Sequence, residues 1–325
     1  MLTNTSASTG SVVLVTGASG LVGMAVREQV AMQKLDDAEG TWFYAGSKDA
    51  DLRDAASTSA LFQRVKPTHV LHLAAQVGGL FANMKYQVEF WRDNMAMQEN
   101  IFQCCKQYNV KRLVACLSTC IFPDGARLPM DESMIMHGPP HSSNRGYAYA
   151  KRMVLMLGEL YNEQYGTNFA TVVPCNVFGK HDNFSIEDGH VLPGLMHKCY
   201  LAKQNNEPFL VWGSGKPLRQ FIYSSDLASL MLWYLLESDK TDPLILATDP
   251  NDEISIEQAA TLVAEAMEFN GNIVLDSSKA DGQFQKTCTN ARLRSMRPDF
   301  RFTPMRQAVR ETATWFSKNY NTCRK

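Results

Sequence analysis

A tyrosine and a lysine stand four residues apart in Gly146-Tyr147-Ala148-Tyr149-Ala150-Lys151, at what reads as the start of a helix. That spacing brings both side chains onto one helical face. An unperturbed phenol exchanges protons poorly at neutral pH, and a nearby ammonium favours the phenolate. Lys151 is therefore expected to draw the Tyr147 pKa down toward the working range, as interconversion of a carbonyl and an alcohol requires. Any amphipathic helix can carry such a pair one turn apart, so it acquires meaning only with partners. One is the hydroxyl of Ser118, 29 positions upstream at the end of an apolar run, which completes a Ser/Tyr/Lys set.

The elements that must position this set can be read in order. Ser11 to Thr16 is a β-branched run that reads as a buried parallel strand, and it leads straight into Gly17-Ala18-Ser19-Gly20-Leu21-Val22-Gly23. A helix follows with Val22, Val26 and Val30 at fourfold spacing. Glycines between such a strand and helix let the backbone approach a pyrophosphate, to which the helix N-terminus offers free N–H groups. A second strand over 41–45 ends in Gly46-Ser47-Lys48-Asp49-Ala50-Asp51-Leu52. Where NAD is selected, an acidic residue at this strand's end takes the ribose 2′-hydroxyl; Ser47 and Lys48 offer a hydroxyl and an ammonium, which suit the 2′-phosphate of NADP(H). Asp51 and Leu52 are expected against the adenine edge.

A helix over 59–65 then precedes a strand over 70–75, where small Ala74 and Ala75 let the backbone pass close to the cofactor. His72 alternates with apolar residues inside that strand and reads as a core histidine. A long helix over 86–108 and a strand over 112–117, ending in Ser118-Thr119-Cys120, complete the alternation. The predicted fold class is α/β, a Rossmann-type doubly wound parallel sheet with a smaller C-terminal lobe. Residues 1–178 should mainly bind the dinucleotide and 179–325 mainly the substrate, some strands returning to the main sheet.

The 325 residues are 45% hydrophobic, enough for a large core. A net charge of −1 with no basic run excludes a nucleic-acid or anionic-membrane footprint and points to a small-molecule substrate. Eight cysteines without C-x-x-C spacing read as reduced thiols, with no metal site. Residues 1–10 are small and polar, lack the pattern of a secretory signal, and read as a frayed terminus; no apolar run reaches membrane-spanning length. A cytoplasmic protein is expected.

Several longer runs are more specific. They are Ala75-Gln76-Val77-Gly78-Gly79, Ser118-Thr119-Cys120-Ile121-Phe122-Pro123, Tyr147 to Lys151, Asn176-Val177-Phe178-Gly179-Lys180-His181-Asp182-Asn183-Phe184, Gly189-His190-Val191-Leu192-Pro193 and Val211-Trp212-Gly213-Ser214-Gly215-Lys216-Pro217-Leu218-Arg219. With these runs, continued by Asp281-Gly282-Gln283-Phe284 and Phe300-Arg301-Phe302-Thr303-Pro304, the chain resembles the extended short-chain dehydrogenase/reductase family over nearly its whole length. Within that family it looks like the epimerase-reductases of GDP-4-keto-6-deoxy-D-mannose. The resemblance implies conversion of that sugar nucleotide to GDP-L-fucose with NADPH: epimerisation at C3 and C5, then reduction of the C4 ketone. Both carbons flank the ketone, so enolisation acidifies their protons.

By the same resemblance Cys120 and His190 are the acid/base residues of epimerisation, while Tyr147 stabilises the enolate oxygen and later protonates the C4 alkoxide. Ser118 holds the ketone, and Lys151 contacts the nicotinamide ribose. Pro174, Asn176, Val177 and His190 would also meet the cofactor. Ser118, Cys120, Asn176, Val191, Trp212 and Arg219 would meet the substrate and Lys198 its diphosphate, with Asp281 and Lys286 closing over the GDP end. On the residues alone Cys120 reads as a small core residue and His190 as a loop cap. Two departures from the family pattern stand out: Ala18-Ser19 replace a basic residue in the glycine loop, which leaves the 2′-phosphate to Ser47 and Lys48, and Thr119 replaces a serine. A simple 4-epimerase has no need of Cys120 and His190. A dehydratase would place an acid and a carboxylate where Thr119-Cys120 stands, and a binding-only regulator has no use for Ser118, Tyr147 and Lys151. The resemblance also implies a homodimer formed through the helices near 90–108 and 151–164. Beyond residue 179 a polar, mobile loop is expected over 182–189, then a helix opening at His190 and amphipathic helices over 257–269 and 305–320.

Overall fold

In a computed structural model, which describes residues 10–36 and 40–325, the first part of the chain forms β1 (Ser11–Thr16), α1 (Leu21–Met32), β2 (Gly40–Ala45), α2 (Ala55–Val65), β3 (His69–His72), α3 (Leu80–Lys85), α4 (Gln87–Gln107), β4 (Arg112–Cys116), α5 (Arg145–Tyr165) and β5 (Phe169–Pro174). The expected frayed terminus over residues 1–10 lies outside the described residues except for Gly10. Then follow β6 (Asn176–Phe178), α6 (Val191–Asn205), β7 (Phe209–Trp212), β8 (Leu218–Arg219), β9 (Phe221–Tyr223), α7 (Ser224–Leu236), β10 (Leu244–Leu246), β11 (Ile254–Ser255), α8 (Ile256–Ala266), β12 (Ile273–Asp276), α9 (Ala291–Met296) and α10 (Met305–Lys318). No helix among the described residues is long and apolar enough to cross a membrane.

Val13, Leu14 and Val15, like Val70, Leu71, Leu113, Val114, Val172 and Val173, are at most 1% exposed, so these strands are buried on both faces. A sheet covered on both sides satisfies that, and parallel strands need crossovers that supply the cover. Six parallel strands lie in the order β10-β5-β4-β3-β1-β2. Helix α1 packs on α7, and α4 packs on both α2 and α5. The order reverses at β1, from which the chain goes first to β2 on one side and then to β3 on the other, and this opens a crevice over the strand ends.

Local bonding explains where the elements depart from expectation. Helix α2 starts earlier than residue 59 because the Asp54 carboxylate accepts the Ser57 N–H at 2.6 Å and caps the helix at Ala55. Strand β3 stops at His72: the Leu73 N–H reaches the Thr16 carbonyl and the Ala74 N–H its hydroxyl, both at 3.3 Å, which bends the chain over the end of β1.

A second apolar core gathers Phe178, Phe184, Leu192, Met196, Phe209, Val211, Val263, Val309 and Phe316 beneath α6, α8 and α10. The spacing in the sequence puts Met305, Ala308, Val309, Thr312 and Phe316 on one side of α10; the helix buries the last four together with Ala313, while Met305 is only partly covered. The segment 182–189, expected to be polar and mobile, is tied down at its start. Asp182 and Phe184 are buried, and the Phe184 N–H donates to the Arg324 carbonyl at 2.8 Å, so the end of the chain is laid along this segment.

Candidate active site

A cavity of ≈ 770 Å³ runs over the strand ends from the glycine turn to His190. Gly17 has φ +68°, and a Cβ there would lie 2.7 Å from the Ala74 nitrogen; at Gly23 it would lie 2.5 Å from the Ala18 Cα. Both contacts are closer than a side chain permits, so the turn is stripped to backbone where it meets β3 and α1. Gly20 precedes α1 and no side chain caps the helix, leaving its first N–H groups open toward the cavity. This is a cradle for a pyrophosphate, and the residues fit a dinucleotide. Ser19, Leu21, Val22, Leu52, Ala74, Ala75, Pro174, Asn176 and Val177 line the cavity as expected, whereas Ala18 is buried beneath the turn.

At the β2 end, Ser47 lines the cavity and Lys48 does not. The Asp49 carboxylate, which could have mimicked an NAD-type acid, is engaged in accepting the Gly46 N–H at 2.8 Å. Arg53 lines the cavity, and sequence reasoning missed it. Its guanidinium donates to Asp51 at 2.9 and 2.8 Å and to Asp93 at 3.3 Å, and the pairing holds the Asp51 carboxyl down to about 2. Asp51 lines the cavity too, paired with Arg53; the signal for Arg53 was the closeness of the two in Asp51-Leu52-Arg53.

Ser118, Tyr147, Lys151 and His190 all line the main cavity. Ser118 follows β4 and its hydroxyl accepts the Cys120 N–H at 3.4 Å. Tyr147 sits in the first turn of α5, its ring edge-on to Phe90 at 6.3 Å. Lys151, one turn on, is 2% exposed and donates to the Cys116 carbonyl at 2.8 Å. The expected fall in the Tyr147 pKa is corrected here. Burial lifts the phenol well above its ordinary value, with the neighbouring thiols of Cys120 and Cys116 adding to the rise, and Lys151, its own pKa lowered by burial, is tied to a carbonyl. Tyr147 is therefore a protonated phenol at neutral pH, poised to donate.

Cys120 lies in a small recess that shares Thr119 with the main cavity and holds Asp124, His141, Gln283 and Lys286. Burial raises its pKa, against a hydrogen bond from Ser118 and the charges of Lys286 and Lys151. Burial lowers that of His190, whose side chain caps no helix and meets solvent through the cavity. Thiol and imidazole both rest neutral. His72 is the core histidine expected, 1% exposed, bonded through Nδ1 to the Thr16 hydroxyl at 2.8 Å and lowered to about 3 by burial. His181 lies against Glu28 at 3.0 Å, outside the cavity lining.

The remaining expected substrate contacts, Val191, Lys198, Trp212, Arg219 and Asp281, line neither hollow. Lys198 reaches from α6 to lie 3.2 Å from the Trp212 ring centre, with Lys279 at 5.9 Å. Burial, and the like charge of Lys279, bring Lys198 down to about 8. Lys279 was not read from the sequence, where nothing marks it off from a solvated turn. The Arg219 guanidinium donates to the carbonyls of Gln283, at 2.6 Å, and Leu218, at 2.7 Å, so it also fastens the segment that follows Asp281. Asp281 accepts the Ser214 N–H and hydroxyl at 2.6 and 2.7 Å and pins the Gly213-Ser214 turn, which leaves its carboxylate engaged. Lys286 lines the recess that also holds Cys120.

Residues 13–246 match the NAD dependent epimerase/dehydratase family. The chain is similar to a GDP-L-fucose synthase of Dictyostelium discoideum, 53% identical over 96% of this chain and 97% of that one, and to a probable GDP-L-fucose synthase of Drosophila melanogaster, 48% identical over 96% and 99%. Its fold superposes on the crystal structure of a GDP-L-fucose synthetase from Naegleria fowleri bound to NADP with a TM-score of 0.94 and 49% identity, covering 99% of this chain and 97% of the other.

Proposed function

The chain belongs to the NAD dependent epimerase/dehydratase family, and we infer that within it the protein is an NADP-dependent GDP-L-fucose synthase, turning GDP-4-keto-6-deoxy-D-mannose into GDP-L-fucose. The observation that carries this reading is a thiol and an imidazole set beside a Ser/Tyr/Lys group at the ends of parallel strands. NADPH, when bound, supplies the hydride that reduces C4. The glycine turn and the α1 N-terminus would hold its pyrophosphate, and Ser47, Ser19 and Arg53 are the groups available to its 2′-phosphate.

Ser118 and Tyr147 direct their hydroxyls at the C4 oxygen and take up the charge that builds there as a proton leaves C3 or C5. Cys120 and His190 move the protons. The thiol/imidazole pair and the thiolate/imidazolium pair hold the same number of protons, so one member can take a proton from a carbon while the other returns one to the opposite face. Tyr147, protonated at rest, then gives its proton to the C4 alkoxide, and Lys151 compensates the charge left on the phenol.

Around this centre we assign the smaller lobe, mainly residues 179–325, to the sugar nucleotide, with Lys198, Trp212 and Lys279 as one cluster facing it. A homodimer is supported by Val88 and Trp91 on α4 and Met156 and Leu160 on α5, apolar side chains left exposed on two helices that pack together. A cytoplasmic setting is supported by eight free cysteines. Purified protein given GDP-4-keto-6-deoxy-D-mannose and NADPH should consume the cofactor and yield GDP-L-fucose; consumption with retained configuration at C3 and C5 would leave only a reductase.

A further inference from the structure

The recess behind Thr119 brings a lysine to the thiol. Lys286 is half-buried there and lines the recess together with Cys120 and Asp124; burial lowers its pKa, and a negative charge on Cys120 works against that fall. Its position is fixed by its neighbours. The Thr287 carbonyl accepts the Met130 N–H at 2.8 Å, the Cys288 N–H donates to the Gln220 side chain at 2.7 Å, and Arg219 holds the Gln283 carbonyl. Thr287 and Cys288 are both buried. These bonds hold the backbone that carries Lys286, and among the described residues its ammonium enters no ion pair.

The other groups facing the recess do not replace it. His141 is bonded through Nδ1 to the Ser143 hydroxyl at 2.8 Å, and Lys151, approaching from α5, donates to the Cys116 carbonyl. Tyr147 rests neutral, Arg219 is held by carbonyls, and Asp124 carries the opposite sign. We propose that Lys286 is a positioning residue for the proton chemistry, acting through Cys120: its ammonium keeps a thiolate within reach in the recess, so that the sulfur can serve as base at a carbon beside the ketone. A desolvated cation next to a thiol favours the ionised form, and a thiolate rather than a thiol removes protons.

The proposal rests on Cys120 being an acid/base residue, and its primary readout, the reactivity of the thiol, needs no sugar nucleotide. Iodoacetamide alkylation of Cys120 is followed against pH in the full chain, with Cys120→Ser subtracting the other cysteines. Lys286→Met should slow alkylation at neutral pH about tenfold and move the midpoint upward, while Lys286→Arg, which keeps the charge, stays within about twofold of the parent. NADPH binding reports whether each variant is folded, and Lys286→Gln substitutes if the Met variant is not. An unchanged midpoint in the neutral variants overturns the proposal, as does an equal loss in Arg and Met. A rise in KM without a change in the Cys120 profile would instead make Lys286 a ligand of the substrate. Failure of the functional reading looks different: wild-type protein would then exchange no solvent deuterium into the sugar, whatever the thiol titration gives.

Discussion

A phenol that is protonated at rest has one direction of use. Tyr147→Phe keeps the ring against Phe90 and removes the proton, so ketone reduction should fall at least about a hundredfold while NADPH binding changes little; stopped-flow reduction and a fluorescence titration measure the two separately. The proton-moving pair should come apart from reduction. Cys120→Ser raises the side-chain pKa by several units and His190→Asn removes a titrating group. Both variants should lose solvent-deuterium exchange into the sugar without NADPH, and form partly epimerised product with it. Normal exchange in both would move the acid/base role elsewhere. Ser118, Tyr147 and Lys151 were legible because helical spacing and a strand end translate directly into position. Cys120 and His190 were not legible locally, since they come from distant segments and only the resemblance joined them. The sense of the Tyr147 shift was misread because it depends first on the burial of the phenol and then on the thiols of Cys120 and Cys116 beside it, tertiary facts with no trace in the spacing.

At the scale of elements, the segment between β6 and α6 carries a titrating group of its own. Asp182 is 3% exposed; one carboxyl oxygen accepts the Asn183 N–H at 2.7 Å and the other has no partner, and burial raises the group from 3.8 to about 7. The folded state thus binds the proton more tightly than the unfolded chain. Stability is unaffected below pH about 4, falls as pH rises between about 4 and 7, and is level above that, the full cost being at most about 4 kcal/mol. Asp182→Asn should therefore melt higher than wild type at pH 8 and within a degree or two of it at pH 4; thermal unfolding at both pH values checks the crossing. The polar composition of 182–189 suggested a mobile loop and hid the packing, because Phe184 and the pairing with Arg324 depend on a part of the chain far away in sequence. The strands and α1 were readable because a buried parallel strand is a continuous apolar run.

For the molecule as a whole, two cores do not mean two separable halves. Helix α7, strand β10, Cys288 and Leu293 belong to the first core, although the chain passes through the second between β5 and α7. A fragment of residues 1–178 would leave β5 as an edge, with Val172 and Val173 losing their partners on β10, and would strip α1 of α7. It should aggregate where the full chain does not, as sedimentation of the two expressed side by side would show. The sequence placed a boundary near 178 from the change in composition, and returning strands were expected, but which strand came back followed from the sheet order alone.

That return sets a timetable at the ribosome. When residue 174 has emerged, five strands of the sheet exist, but the sixth is not yet made, and neither is the helix that covers α1. Some seventy more residues must be synthesised before β10 can dock, and they include α6 and most of the strands of the other lobe. The nucleotide crevice can be outlined early, yet the edge that secures its sheet arrives late. A nascent chain of this kind spends its middle period with an open apolar border, and that interval is where a chaperone has something to hold.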